Sequence, residues 1–134
     1  MIQVEKMIKK SKKKQILIAD DEKHIIDLMK IILQEKFEIL TAENGQEVME
    51  LLKTNKPDLL ILDVMMPEVN GFEVCEQLKS NSKTKSLKIV MISAKAQEKD
   101  IVQGLKLGAD YYMTKPFDPI IFDKKINEII NGDI

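Results

Sequence analysis

Residues 59–71 read LLILDVMMPEVNG, an apolar run that ends on a lone carboxylate, Asp63, and gives way to a loop carrying Pro67 and Gly71. A short, uninterrupted apolar run bounded by turn residues is the pattern of a strand covered on both faces, which puts the carboxylate at the strand's carboxyl end. Outward from this stretch the same pattern recurs. QILIAD (15–20) is a strand, and the helix KHIIDLMKIILQEK follows with Ile25, Leu28, Met29 and Ile32 at helical spacing. FEILTA (37–42) is a second strand, and after Asn44-Gly45 a helix places Val48, Leu51 and Leu52 on one face, stopped by Pro57. Beyond LLILD, Val74, Cys75 and Leu78 mark a third helix that runs into the polar KSNSKTKS loop. KIVMIS (88–93) is the fourth strand, and its helix carries Ile101, Val102 and Leu105 and ends near Gly108. ADYYMT is the fifth strand, and a helix from Asp118-Pro119 to Asn131-Gly132 shows Phe122, Ile126, Ile129 and Ile130 on one face.

Five strands alternating with five helices imply right-handed crossovers and a parallel sheet with helices on both faces, an α/β three-layer sandwich. ILIA, LLIL and IVMI are nearly all apolar, whereas FEILTA is mixed and ADYYMT is short and part polar. Strands 1, 3 and 4 therefore belong inside and 2 and 5 at the edges, which is the doubly wound, flavodoxin-like order 2-1-3-4-5. Ligands of such sheets sit beyond the carboxyl ends of the strands, near the switch point between strands 1 and 3. At those ends stand Asp20 and Asp21, Asp63, Ser93 and Lys115.

Carboxylates about 4 Å apart repel by roughly 4 kcal/mol per pair at an effective dielectric of about 20, so three of them on one rim call for a cation. Mg²⁺, with Mn²⁺ as the alternative, prefers oxygen ligands and is usually held by one or two carboxylates plus phosphate oxygens. That points to phosphoryl chemistry: Ser93 donates to one phosphoryl oxygen, Lys115 pairs with another, and Asp63, central on the rim, is the nucleophile of an acyl phosphate. Taken singly these residues have blander readings. Asp20-Asp21 suit a helix cap, Ser93 a turn hydroxyl, and Lys115-Pro116 a loop with a solvated lysine. It is their shared rim that favours the chemical reading. His24, the only histidine, is expected on a solvent-facing helix position, Cys75 and the methionines in packing, and Met65-Met66 partly exposed beside the site.

The pieces LIADDE, LLILDVMMPEVNGFE, VMISAKA and GADYYMTKPF resemble those of the receiver domains of two-component response regulators, in the single-domain, chemotaxis-regulator-like form. The resemblance covers residues 15–132, after a lysine-rich tail, residues 1–14, expected to be disordered. It implies that Asp63 accepts a phosphoryl group from a phosphohistidine on a histidine kinase or histidine phosphotransfer protein. Asp21 and Asp63 would bind Mg²⁺ directly, Asp20 largely through water, and the Met65 carbonyl would complete the protein's share. Ser93 and Lys115 match the family's hydroxyl and lysine, and Tyr112 its aromatic switch. Ser93 would move to bond the phosphoryl group, Tyr112 would then turn inward, and the surface of the fourth helix, fifth strand and fifth helix would change for a downstream protein. The Lys115–Pro116 peptide is expected to be cis. Neither Met65 nor Lys95 supplies a carboxylate or amide to orient a hydrolysing water, which predicts a long-lived phosphoryl state.

The chain is 134 residues with 44% apolar and 32% charged residues, composition for one globular domain. Residues 1–14 carry a net charge of +5 and the remainder −6. All 21 basic residues are lysines, so no arginine fork is present for bases or phosphates, and no sequence-specific nucleic-acid binding is expected. One cysteine, no long apolar run and no signal segment point to a cytoplasmic protein without stable membrane association. The chain is expected to be a signalling phosphoacceptor rather than an enzyme, ending with its fifth helix, either a terminal effector or an intermediate of a phosphorelay. Two rivals share features. A phosphatase of the haloacid-dehalogenase type would have a second aspartate where Met65 stands, and a flavin-binding flavodoxin would have a phosphate loop where Asp20-Asp21 stand.

Overall fold

The computed structural model describes residues 13–132. Of the lysine-rich stretch, residues 1–12 lie outside the described residues, while Lys13 and Lys14 donate through Nζ to the carbonyls of Glu35 and Ile130. The strands are β1 (Gln15–Ala19), β2 (Glu38–Ala42), β3 (Leu59–Asp63), β4 (Lys88–Ser93) and β5 (Tyr111–Thr114). Between and after them run α1 (Lys23–Leu33), α2 (Gly45–Thr54), α3 (Gly71–Ser80), α4 (Glu98–Lys106) and α5 (Pro119–Ile130). The sheet is parallel throughout, with the expected order 2-1-3-4-5.

Burial divides the strands as their composition does. Every residue of β3 is buried, as are all but the first of β1 and β4, whereas β2 and β5 are partly exposed edges. Because side chains alternate across a pleated strand, the central strands feed two cores. Leu17, Leu60, Leu62, Ile89 and Met91 pack with Val48, Val74, Cys75 and Leu78 on the α2–α3–α4 side. Ile16, Ile18, Ile61, Val90 and Ile92 pack with Met29, Leu33, Phe122 and Ile126 on the α1–α5 side. Each fully buried aliphatic or aromatic side chain contributes about 1.5–3 kcal/mol, so the middle of the sheet is the rigid part of the molecule.

Two helix faces differ from expectation. On α1 the buried stripe is Ile26, Met29 and Leu33, while Leu28 is exposed and Ile25 and Ile32 are half-buried. This helix is apolar around much of its circumference, and the 26–29–33 spacing is the one that faces the sheet. On α4 the buried residues are Asp100 and Gly104, with Val102 and Leu105 exposed and Ile101 half-buried. The inward side of α4 is small and polar because it lies directly over Tyr112: a Cβ on Gly104 would come within 2.9 Å of that ring. The other helices follow the sequence, and α5 starts with Asp118 accepting from the Ile120 and Ile121 N–H groups and Pro119 in its first turn.

Candidate functional site

Sheet register brings the rim together. Ala19 lies opposite Leu62, which sets Asp20 beside Asp63; Asp63 lies opposite Ile92, and Ser93 opposite Thr114, which sets Lys115 just past Ser93. Residues far apart in sequence thus share one edge through parallel pairing alone.

Asp63 is buried, with Oδ1 accepting from the Met65 N–H at 3.0 Å and Oδ2 from Lys115 Nζ at 3.2 Å. Asp20 is wholly buried, its Oδ1 accepting from the Glu22 N–H at 2.9 Å and its Oδ2 from Lys115 Nζ at 2.8 Å. Lys115 Nζ also pairs with Glu22 Oε1 at 3.2 Å. Asp21 is exposed, and carboxylate oxygens of Asp20, Asp21, Glu22 and Asp63 all lie within 4.8 Å of one another. Four carboxylates against one ammonium leave a strongly negative, all-oxygen cluster, and three of them already share Lys115 as their cation. Such a donor set fits a hard divalent ion.

The electrostatics follow from this crowding. Burial pushes the Asp63 carboxyl up to about 6, with the Asp20 charge adding to the rise and the Met65 N–H and Lys115 opposing it. For Lys115, burial works against the charged form, but the hydrogen bond to Asp20 and the charges of Asp63 and Asp20 prevail and hold the ammonium above its ordinary range.

The loop after Asp63 explains the rest of the opening stretch. Met65–Met66 and Val69–Asn70 form a small antiparallel hairpin, with Glu68 in the left-handed region at φ 67°. Asn70 caps α3 by accepting from the Phe72 N–H, and the Gly71 N–H donates to the Val64 carbonyl at 2.8 Å. A Cβ on Gly71 would stand 2.6 Å from the Asp63 carbonyl oxygen and 2.7 Å from Val64 Cα, so α3 can begin this close under Asp63 only with glycine there. Met65 is exposed and Met66 buried, so only the first of the pair lies open beside the site. Asp21, Met65 and Lys95 are among the residues lining a cleft of about 500 Å³ over this loop.

A model of the response regulator receiver domain matches residues 16–127. The chain belongs to that family. Phosphoryl acceptance in two-component signalling is the family's function, and the phosphatase and flavin-binding readings fall away. This receiver domain is 42% identical over 118 residues, 87% of the chain, to the alkaline phosphatase synthesis transcriptional regulatory protein PhoP of Bacillus subtilis, of which it spans 48%. It is 35% identical over 129 residues, 96% of the chain, to histidine kinase P4 of Formosa agariphila, of which it spans 9%. The chain therefore covers at most about half the length of these two relatives. Among solved structures, a CheY-like response regulator receiver domain protein from Methanospirillum hungatei superimposes with a TM-score of 0.82 at 30% identity, over 89% of this chain and 94% of that one.

Within the receiver domain, Asp20, Asp21, Asp63 and Lys115 come together as expected, and the Lys115–Pro116 peptide is cis. Ser93 is buried at the rim, but its Oγ is engaged by the Lys95 N–H at 3.0 Å. Tyr112 departs from expectation: its side chain is already turned inward and buried, with its hydroxyl donating to the Lys95 carbonyl. His24 is exposed and pairs at 3.5 Å with Glu22, whose side chain is itself about half-exposed. Sequence reasoning missed Glu22, although it directly follows Asp20-Asp21, because a third consecutive acid reads as the start of a helix. Among the described residues no helix is long and apolar enough to cross a membrane.

Proposed function

We propose that this receiver domain takes a phosphoryl group from a phosphohistidine of a histidine kinase or histidine phosphotransfer protein onto Asp63, as a cytoplasmic step of two-component signalling. The observation that carries the reading is the setting of Asp63: buried at the end of the central strand, 3.2 Å from Lys115 Nζ and inside a cluster of carboxylates. Asp21 and Asp63 would hold Mg²⁺ or Mn²⁺ directly, Asp20 through water, with the Met65 carbonyl as a further oxygen donor. When bound, the ion neutralises the carboxylate cluster and the phosphoryl oxygens, which lets an anionic donor approach.

The chain's own groups do the rest. A carboxylate oxygen of Asp63 attacks phosphorus, the new O–P bond forms as the donor's P–N bond breaks, and the imidazole nitrogen keeps the electron pair. Lys115, already in contact with the nucleophile, turns its ammonium onto a phosphoryl oxygen. Ser93 donates its hydroxyl proton to another while its Oγ still accepts from Lys95. Phosphorylation then fixes Tyr112 in the inward position and presents the face of α4, β5 and α5 to a partner. The chain acts as a phosphoacceptor and turns over only its own phosphoryl group.

The test is intact-mass measurement after incubation with acetyl phosphate and Mg²⁺. One added phosphoryl group is expected, absent with excess chelator and absent in Asp63→Asn; an Asp63→Asn chain that still gains the mass sinks the assignment.

A further inference from the structure

Away from the acceptor rim, the buried charged side chain among the described residues is Asp100, in the first turn of α4. Its Oδ2 accepts from the Gln97 N–H at 3.2 Å, and its Oδ1 faces Lys95 Nζ at 3.6 Å. Lys95 sits in the loop between β4 and α4, and its ammonium also lies 5.8 Å from the centroid of the Phe72 ring of α3. Its backbone is bound at both polar groups to the two switch positions, the N–H to Ser93 Oγ and the carbonyl to the Tyr112 hydroxyl. Its half-exposed side chain lines the cleft that also contains Asp21 and Met65. One residue thus touches the acceptor cleft, both switch residues and the single buried acid of α4.

We propose that Lys95 carries the phosphorylation signal to α4 by exchanging anionic partners, an inference that rests on the phosphoacceptor reading of Asp63. A phosphoryl group on Asp63 brings nearly two negative charges and new acceptor oxygens into the cleft, where they compete with Asp100 for the ammonium. Once the ammonium turns to the phosphoryl group, Asp100 keeps only the Gln97 N–H. A buried carboxylate without a counter-ion is unfavourable, and the first turn of α4 opens so that water reaches it. Lys95 is a positioning residue here: the phosphoryl transfer proceeds on other groups, and Lys95 conveys its result.

The measurement is hydrogen exchange of the amides of residues 97–104, with Mg²⁺ and with or without acetyl phosphate, compared at equal phosphoryl stoichiometry verified by intact mass. The wild-type segment is expected to exchange about fivefold or more faster when phosphorylated. In Lys95→Gln, Asp100 lacks a cation in both states, so exchange is fast before and after. In Asp100→Asn no counter-ion is needed, so exchange is slow before and after. Lys95→Arg restores the wild-type difference. A phosphorylated Lys95→Gln chain that retains the wild-type ratio overturns the inference, as do equal unphosphorylated baselines in Lys95→Gln and Asp100→Asn. A wild-type chain that takes up no phosphoryl group overturns the acceptor reading itself, and the mass measurement tells the two failures apart.

Discussion

At the scale of single residues, Asp63, the proposed acceptor, illustrates how a buried carboxyl is held at the cost of stability. In the folded chain its carboxyl is raised from 3.8 to about 6, chiefly by burial, so the fold prefers the protonated acid. The sign follows directly: this group's contribution is complete below about pH 4 and is lost as pH rises toward 6, a cost of about 3 kcal/mol above that window. Asn at this position cannot ionise. In chelator, Asp63→Asn is therefore expected to gain stability over wild type as pH rises, by about 2 kcal/mol between pH 4.5 and 7.5, as read by urea unfolding. A gap that stays constant or narrows over that range would contradict the burial account. Met65 supports a second residue-scale expectation. Its exposed thioether, a weak acceptor with no donor, stands in the cleft with Lys95, whose ammonium has no acceptor to take a water's proton. Neither orients an attacking water. Met65→Asn supplies an amide there, and the decay of the phosphorylated chain should accelerate several-fold; unchanged decay counts against a hydrolytic path on this side of Asp63.

At the scale of elements, the two glycines that lie against the signalling parts of the fold should respond differently to the same substitution. At Gly71 an added methyl meets backbone, the Asp63 carbonyl oxygen at 2.6 Å and Val64 Cα at 2.7 Å, so either α3 or the loop after Asp63 has to move. Gly71→Ala is expected to lower stability by about 1–3 kcal/mol and to slow phosphoryl labelling. At Gly104 the methyl meets Met91 Sδ at 2.8 Å and the Tyr112 ring at 2.9 Å, side chains that can shift. The helix preference of alanine over glycine, about 1 kcal/mol, offsets much of that crowding. Gly104→Ala should be nearly neutral in thermal unfolding and should act on Tyr112; equal losses in the two variants would refute the distinction. The same elements show what a sequence discloses. Strands covered on both faces must be apolar throughout, so LLILD and KIVMIS declared their central places, and with them the sheet order and the rim. Helix faces were less legible. α1 offers Ile25, Ile26, Leu28, Met29, Ile31, Ile32 and Leu33, more apolar residues than one stripe, and only docking selects 26, 29 and 33. α4 hides Asp100 and Gly104, which no hydrophobic periodicity marks. Nor does sequence encode the inward position of Tyr112, which depends on the space that Gly104 leaves above it.

At the scale of the whole molecule, the proposed acceptor site gathers residues from Asp20 to Lys115 onto one edge of the sheet, and the two cores on its faces hold that edge rigid. A cluster assembled in this way cannot fully relax its repulsion by spreading, because Asp20 and Asp63 are buried at strand ends whose register is set by buried neighbours. Its relief is a counter-ion, and Lys115 supplies only one charge. A divalent cation should therefore stabilise the entire domain, since it binds the folded arrangement and the unfolded chain has no such cluster. At a free Mg²⁺ concentration of about ten times the dissociation constant, the linkage amounts to roughly 1.4 kcal/mol, which for a domain of this size raises the unfolding midpoint by about 3–8 °C. Protons compete for the same oxygens, so the Mg²⁺-dependent rise should shrink as pH falls below about 6, where Asp63 holds its proton. Differential scanning measurements with Mg²⁺ or chelator at pH 5 and 7.5 separate this from a general salt effect, for which potassium at equal ionic strength is the control. Asp21→Asn removes an exposed ligand without opening a core, and should abolish the Mg²⁺ response while leaving the midpoint in chelator unchanged or slightly raised. A midpoint that Mg²⁺ raises equally in Asp21→Asn and wild type would place the ion elsewhere on the acidic surface and detach the stability of the fold from its signalling site.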